Sequence, residues 1–310
     1  MLAHFTKNLK ESKYQNTSDT SVGFDDMRDI VYIADFFYPA VKGGAEMYGN
    51  VLLDLFDEQG IEYETVKSRN LGRGHLSSYS DRLFIIGNFV ALNPDIQQDI
   101  VDCIDYLIIE HDYKLDAKRQ PQRFDDYEIP DRHLRNEKFY QNAIATIVQS
   151  TLQQKIFTKN LQNVEYYNFS GSLWGDEKLN TIEKIRNSAK KPSKEAVYLD
   201  DDNPIKGKEL AEKYCHKNDI DADAIGGLNQ EEFWKELSKA EKLIYFPLTP
   251  ETLGRVAVEA RMLGMNVVSN DKLGAKQEGW FSDSSQKITN RMRDKATEIL
   301  EVIEKYGHAF

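Results

Sequence analysis

The feature that most restricts the fold of this chain is a repeated alternation. Short apolar runs suited to strands buried on both faces, IVYIA at 30–34, LFII at 83–86 and YLII at 106–109, alternate with amphipathic stretches. After the first run and the Pro/Gly-rich loop YPAVKGG, Met47, Val51, Leu52, Leu55 and Phe56 recur at helical spacing. Gly60 ends that helix, and 61–66 reads as the next strand. Further strands are predicted at 143–149 and 164–167, with helices over 94–103 and 152–159. Strands joined through helices form a mostly parallel sheet, covered by helices on both faces.

The alternation breaks once. Residues 176–195 are polar and charged and contain one Pro, which predicts an interdomain linker. Strands then resume at 196–199, 222–225, 243–246 and 266–269, with helices over 208–215, 231–239 and 252–263. A last helix at 292–306 is expected to pack back across the first lobe. The expected organisation is a polar extension at 1–28, a Rossmann-like lobe at 29–175, the linker, a second lobe at 196–290 and a C-terminal helix segment at 291–310. A chain of 310 residues accommodates two such domains. Two open α/β sheets leave a cleft at the carboxyl ends of their strands, where ligands bind.

Composition narrows the partners. A chain with 40% hydrophobic and 29% charged residues is expected to be soluble and globular. The formal charge of −11 argues against coating nucleic acid by bulk electrostatics, so any such contact needs a local basic groove. No CxxC or HExxH pattern is present, so no metal site is expected. Cys103 and Cys215 read as reduced thiols packed as small core residues. With no apolar run of signal-peptide or membrane-spanning length, the expected location is the cytoplasm.

The densest chemical signal is PETLGRVAVEAR at 250–261, between the apolar strand LIYFP and a predicted helix. Glu251 falls on the loop, while the amides of Thr252, Leu253 and Gly254 are placed at the helix N-terminus, where free N–H groups and the helix dipole suit a phosphate. Gly254 permits close approach of a ligand to the backbone. Arg255 and Glu259 are also spaced as an ordinary i,i+4 surface pair.

Two glutamates separated by seven residues, Glu251 and Glu259, resemble the E-x7-E signature of retaining GT-B glycosyltransferases. The segments FYQNAIATIVQS and NFSGSLWGD extend the likeness to sugar transferases encoded by bacteriophages. The resemblance implies that Glu251 contacts the transferred sugar and Glu259 the nucleotide ribose. It places Lys206, in Lys206-Gly207, on the donor pyrophosphate. The family's neighbouring Arg is replaced here by Asp200-Asp201-Asp202, which leaves Arg255 as the substitute cation. The three aspartates also resemble a metal-binding DxD motif, but they open the second lobe and read as an acidic turn. Gly43 and Gly44 resemble the family's acceptor-side glycine loop, and His111, directly after YLII, a residue beside the donor sugar.

The implied activity is transfer of a sugar from a nucleotide-diphosphate sugar to an acceptor hydroxyl with retention. The nucleotide sugar is a co-substrate, and no cofactor is expected to be tightly bound. For the acceptor, Arg69, Arg73 and His75 lie in the glycine-containing loop SRNLGRGH, directly after Lys67, while Lys114 and Arg119 follow His111 with Lys118 and Arg123. These suggest a phosphate-rich acceptor, namely duplex DNA carrying a 5-hydroxymethylated pyrimidine. A surface-polysaccharide or lipid-linked glycan acceptor is the alternative. A nucleotide-sugar epimerase or a non-catalytic nucleotide-sugar binder is the alternative from another class.

Overall fold

The computed structural model describes residues 28–307, so all but the last residue of the polar extension expected at 1–28 lies outside the described residues. The first lobe contains β1 (Ile30–Ala34), α1 (Gly44–Gln59), β2 (Tyr63–Lys67), α2 (Arg73–Ser78), β3 (Leu83–Ile86), α3 (Pro94–Cys103), β4 (Tyr106–Ile109), α4 (Glu137–Gln141), β5 (Ala145–Val148), α5 (Thr151–Asn160) and β6 (Tyr166–Asn168). The second contains α6 (Asp176–Ser188), β7 (Lys194–Leu199), α7 (Lys208–Asn218), β8 (Ala222–Ile225), α8 (Gln230–Leu237), β9 (Ala240–Tyr245), α9 (Arg255–Met262) and β10 (Asn266–Ser269). The chain closes with α10 (Ser285–Gly307).

Both sheets are parallel, with strand orders β2-β1-β3-β4-β5-β6 and β10-β9-β7-β8. Successive side chains of a strand point to opposite faces, and the core follows that rule. Val31, Ile33, Phe84, Ile86 and Ile108 enter the core on one face. Ile30, Tyr32, Leu83, Ile85, Leu107 and Ile109 enter the core on the other. Each such buried side chain contributes roughly 1.5–3 kcal/mol of transfer free energy.

These strand orders locate the clefts. In the first sheet the order reverses direction between β1 and β3, and in the second between β7 and β9. Loops leaving the strands on either side of such a point diverge and open a crevice at the carboxyl ends.

Several expectations are corrected here. The segment read as a linker is helical over most of its length: α6 buries Leu179 and Ile182 in the second lobe's core. Its outward face is polar, and that face dominated its composition. The segment SRNLGRGH is not all loop, because α2 begins at Arg73. α9 begins three residues later than predicted, with Gly254 as N-cap at φ 87°; a Cβ there would lie 2.2 Å from Leu273 Cδ1. Cys103 is exposed rather than packed, whereas Cys215 is buried.

α10 spans both lobes. Ile288 and Met292 join the core of the second, and Ile299, Leu300, Val302, Ile303 and Tyr306 that of the first. Glu278 adds a polar tie, accepting from the Thr151 amide at 2.5 Å and from the Ser170 hydroxyl. No helix among the described residues is long and apolar enough to cross a membrane.

Candidate functional site

A cavity of about 890 Å³ lies between the lobes, at the carboxyl ends of both sheets. The second lobe supplies Lys206 from the loop after β7 and Glu251, Thr252, Gly254 and Arg255 from the loop after β9 and the start of α9. These are the two loops that flank its strand-order reversal. Gly207 explains why the lysine is followed by glycine: φ is 75°, and a Cβ would lie 1.8 Å from the Phe246 carbonyl oxygen. Only glycine lets this turn rest on the end of β9 and carry Lys206 to Glu251.

Glu251 is held from two sides. Its Oε1 accepts from Lys206 Nζ at 2.8 Å and from the Tyr245 hydroxyl at 2.6 Å. Its backbone is pinned in a parallel bridge to Leu273, with its N–H donating to the Lys272 carbonyl at 2.8 Å.

Glu259 lies one helical turn inside α9 on the cavity wall and is only 6% exposed. Its two oxygens accept from different indoles, Trp174 Nε1 and Trp234 Nε1, each at 2.9 Å. A carboxylate offers about four acceptor positions, so two hydrogen bonds leave capacity for hydroxyl groups.

Arg255 does not pair with Glu259 by hydrogen bond. Its Nη1 donates to the Ser172 hydroxyl at 2.9 Å and the Leu173 carbonyl at 2.7 Å, and its guanidinium sits 4.1 Å from the Trp174 ring centroid. Nε and Nη2 are buried with no partner among the described residues. Burial lowers its pKa from the usual arginine value, while Glu259 opposes that shift. Two unsatisfied cationic N–H groups on a cavity wall are costly unless an anion occupies the cavity.

The first lobe adds the N-terminus of the sixteen-residue α1. Gly44 and Ala45 line the cavity, and a Cβ on Gly44 would lie 3.5 Å from Arg255 Cδ. The first turn of α1 and that of α9 therefore open into one space, and both present free amides and positive dipole ends. Gly43 is the extended N-cap of α1. Gly44 thus faces Arg255 across the cavity.

His111 also lines the cavity. Its Nδ1 lies 2.5 Å from Gln149 Nε2, and that same amide nitrogen lies 3.4 Å from the Glu110 carbonyl oxygen. A carbonyl can only accept, so this nitrogen is a donor and Nδ1 accepts from it. The hydrogen-bond network thus assigns the imidazole proton to Nε2. Nε2 is buried without a partner among the described residues. Burial, and secondarily the charges of Lys114 and Arg255, push the His111 pKa down to about 3, so the ring is a neutral N–H donor.

The expected acceptor-side cations do not gather here. Lys114 is 4% exposed, ion-paired with the fully buried Glu110 and set over the Phe89 ring, so its charge is consumed within the fold. Arg73 pairs with Asp99 at 2.7 Å and Arg119 with Asp112 at 2.7 Å. Arg69 alone of the four has no carboxylate partner among the described residues; it lies 5.2 Å from the Phe36 ring centroid, outside the cavity wall. The Leu253 side chain is fully buried in the second lobe's core, so only its backbone could face a ligand, and Thr252 precedes α9 rather than belonging to it. Asp200 and Asp201 reach the cavity wall, where Asp200 pairs with Lys208 and Asp201 accepts from the Asn203 amide.

Sequence reasoning missed Trp174, Trp234, Tyr245 and Lys178. Trp174 and Tyr245 sit in segments already marked for other reasons, and nothing local shows that their polar atoms reach a glutamate. Lys178 was hidden in the presumed linker. It lines the cavity, its ammonium has only the Met47 sulfur as hydrogen-bond partner among the described residues, at 3.7 Å, and burial lowers its pKa.

No family model matches the sequence, and no curated protein matches it. Solved structures do. HepE of Anabaena, in complex with UDP and glucose, is 14% identical, with 90% of this chain and 100% of that chain covered at a TM-score of 0.55. Sucrose-phosphate synthase from Thermosynechococcus elongatus is 11% identical, covering 91% and 100% at 0.58. A glycosyltransferase from Rickettsia africae is 10% identical, covering 92% and 100% at 0.54. The fold is GT-B. At these identities the likeness establishes the two-lobed architecture and the full-length match.

Proposed function

We propose that the chain is a glycosyltransferase that moves a sugar from a nucleotide-diphosphate sugar to an acceptor hydroxyl, with retention at the anomeric carbon. The observation that carries this reading is the set of buried N–H groups that face one cavity from both lobes with no partner among the described residues: Arg255 Nε and Nη2, and His111 Nε2. The guanidinium, Lys206 and the first turns of α1 and α9 suit a diphosphate. The neutral imidazole suits a sugar hydroxyl, and Glu259 suits the two hydroxyls of a ribose.

In this scheme the bond between the anomeric carbon and the terminal phosphate oxygen breaks, and the acceptor oxygen bonds to that carbon on the same face. The acceptor's proton passes to the departing phosphate oxygen. Arg255, Lys206 and the helix amides stabilise the charge that develops there. Glu251, fixed by Lys206 and Tyr245, orients the sugar ring, and the enclosing lobes limit attack by water.

For the acceptor we infer the hydroxymethyl group of a modified pyrimidine in duplex DNA, reached by flipping the base from its stack. Support comes from the likeness to phage transferases and from the loops after β1, β2 and β3. Residues 35–43, 68–72 and 87–93 contain one acid, Asp35, and it is buried. The decisive experiment offers a panel of nucleotide sugars with hydroxymethylated and unmodified duplexes and detects product by mass. A one-hexose gain confined to the hydroxymethylated duplex is expected; donor turnover with no acceptor would instead point to an epimerase.

A further inference from the structure

The first lobe has its own strand-order reversal, between β1 and β3, and the loops diverging there are tied by one side chain. Asp35, directly after β1, is 3% exposed. Its carboxylate accepts from the Val90 and Ala91 amides, each at 3.0 Å, and from the Ser68 hydroxyl. One buried carboxylate thereby fixes the loops after β1, β2 and β3 against one another.

The residues next to these anchors are held outward. Phe36 is 43% exposed with the Arg69 guanidinium over its ring, and Val90, at 55%, is the most exposed large apolar side chain among the described residues. Exposed Lys42, Lys67 and Arg69 have no ion-pair partner among the described residues. On a chain of net charge −11, loops whose free charges are all positive form a local reversal of sign. β4 is paired to β3, and Lys42 on the loop after β1 lines the cleft cavity together with His111.

Taking the acceptor to be DNA as above, we propose that the Phe36–Arg69–Val90 cluster is the seat of the duplex beside the transfer site. The Phe36 ring with its stacked guanidinium offers a flat platform for an exposed base, as aromatic–arginine pairs do in single-strand channels. Val90 acts as an apolar wedge where the target base leaves the stack, and Lys42, Lys67 and Arg69 meet the flanking phosphates. A lipid surface is the less fitting partner, because the ring face that would enter lipid is covered by a cation and the apolar side chains stand on tethered loops rather than an amphipathic helix.

The test uses the full chain and a short fluorescein-labelled duplex with one 5-hydroxymethylcytosine, with binding read by anisotropy across a salt series. Phe36→Ala, Val90→Asp and Arg69→Glu should each weaken binding roughly 5- to 100-fold. Arg69→Glu should also make the log-affinity against log-salt slope about one unit less negative. UDP affinity and melting temperature are measured on every variant. If Phe36→Ala does not fold, Val90→Asp, at an exposed tip, carries the test. Wild type and variants binding the duplex equally would overturn the seat and leave the DNA reading standing. A wild-type protein with no affinity for the duplex would remove both. Loss of binding to phosphatidylglycerol vesicles instead of DNA would make this a lipid-facing surface and overturn the proposal.

Discussion

The second-lobe charges that line the cleft and the first-lobe cations expected to meet an acceptor are held in opposite ways. On the second lobe, Lys206, Glu251, Arg255 and Glu259 all reach one cavity, and two Arg255 nitrogens have no partner among the described residues. On the first lobe, Lys114, Arg73 and Arg119 are spent on Glu110, Asp99 and Asp112. The lesson is that a cation's availability is decided by its partner and not by its place in a basic run. A buried lysine facing a buried glutamate belongs to the architecture, whereas an arginine packed on an indole with unsatisfied donors is waiting for an anion.

The comparison can be broken at several points. The largest effect is expected at Glu251→Gln, which removes the carboxylate bound by Lys206 and Tyr245. Sugar transfer should fall about 100- to 1,000-fold in kcat while UDP affinity stays close to wild type. Retention of the full rate would remove Glu251 from the reacting site.

Lys114→Met tests the first-lobe set. It strands the buried Glu110 carboxylate, and chemical denaturation should show a loss of about 3 kcal/mol. Acceptor affinity at a temperature where the variant is folded should not change. A stable protein with impaired acceptor binding would restore Lys114 to the acceptor groove.

His111 links the walls through pH. Its folded pKa, near 3, lies below the ordinary 6.5, so the unfolded chain takes up the proton first. The resulting stability is complete above pH 6.5 and is lost as pH falls from there toward 3. Between pH 6.5 and about pH 5 this amounts to roughly 2 kcal/mol, which His111→Gln should abolish. Identical pH-dependent melting of the two proteins would mean that the imidazole is not held neutral.

The smallest effect is expected at Trp174→Phe, which keeps a ring under Arg255 but deletes the N–H on Glu259. A loss of about 1 kcal/mol, roughly fivefold in donor KM with kcat unchanged, is expected in steady-state kinetics. A fall in kcat alone would place Glu259 in the chemical step rather than in donor binding.

What was legible in the sequence follows the same division. β1, β3 and β4 are unbroken apolar runs with period-two partition between two cores, so their limits were readable to the residue. α6 was not, because only Leu179 and Ile182 of its thirteen residues are buried. The polar face of an edge helix is indistinguishable from a linker until its partners are known. The stretch around Glu251 was readable because strand, loop and helix are contiguous there. The start of α9 was misplaced because Gly254 adopts a left-handed conformation that delays the first helical turn. The indole clamp on Glu259 joins residues 85 and 25 positions away, a distance no local pattern encodes.

The most direct measurement is a crystal structure of the chain soaked with UDP or a UDP-sugar. Phosphate oxygens within hydrogen-bond distance of Arg255 Nε and Nη2, with ribose hydroxyls on Glu259, are the expected result. A nucleotide bound elsewhere, with both arginine nitrogens still unpartnered, would contradict the account.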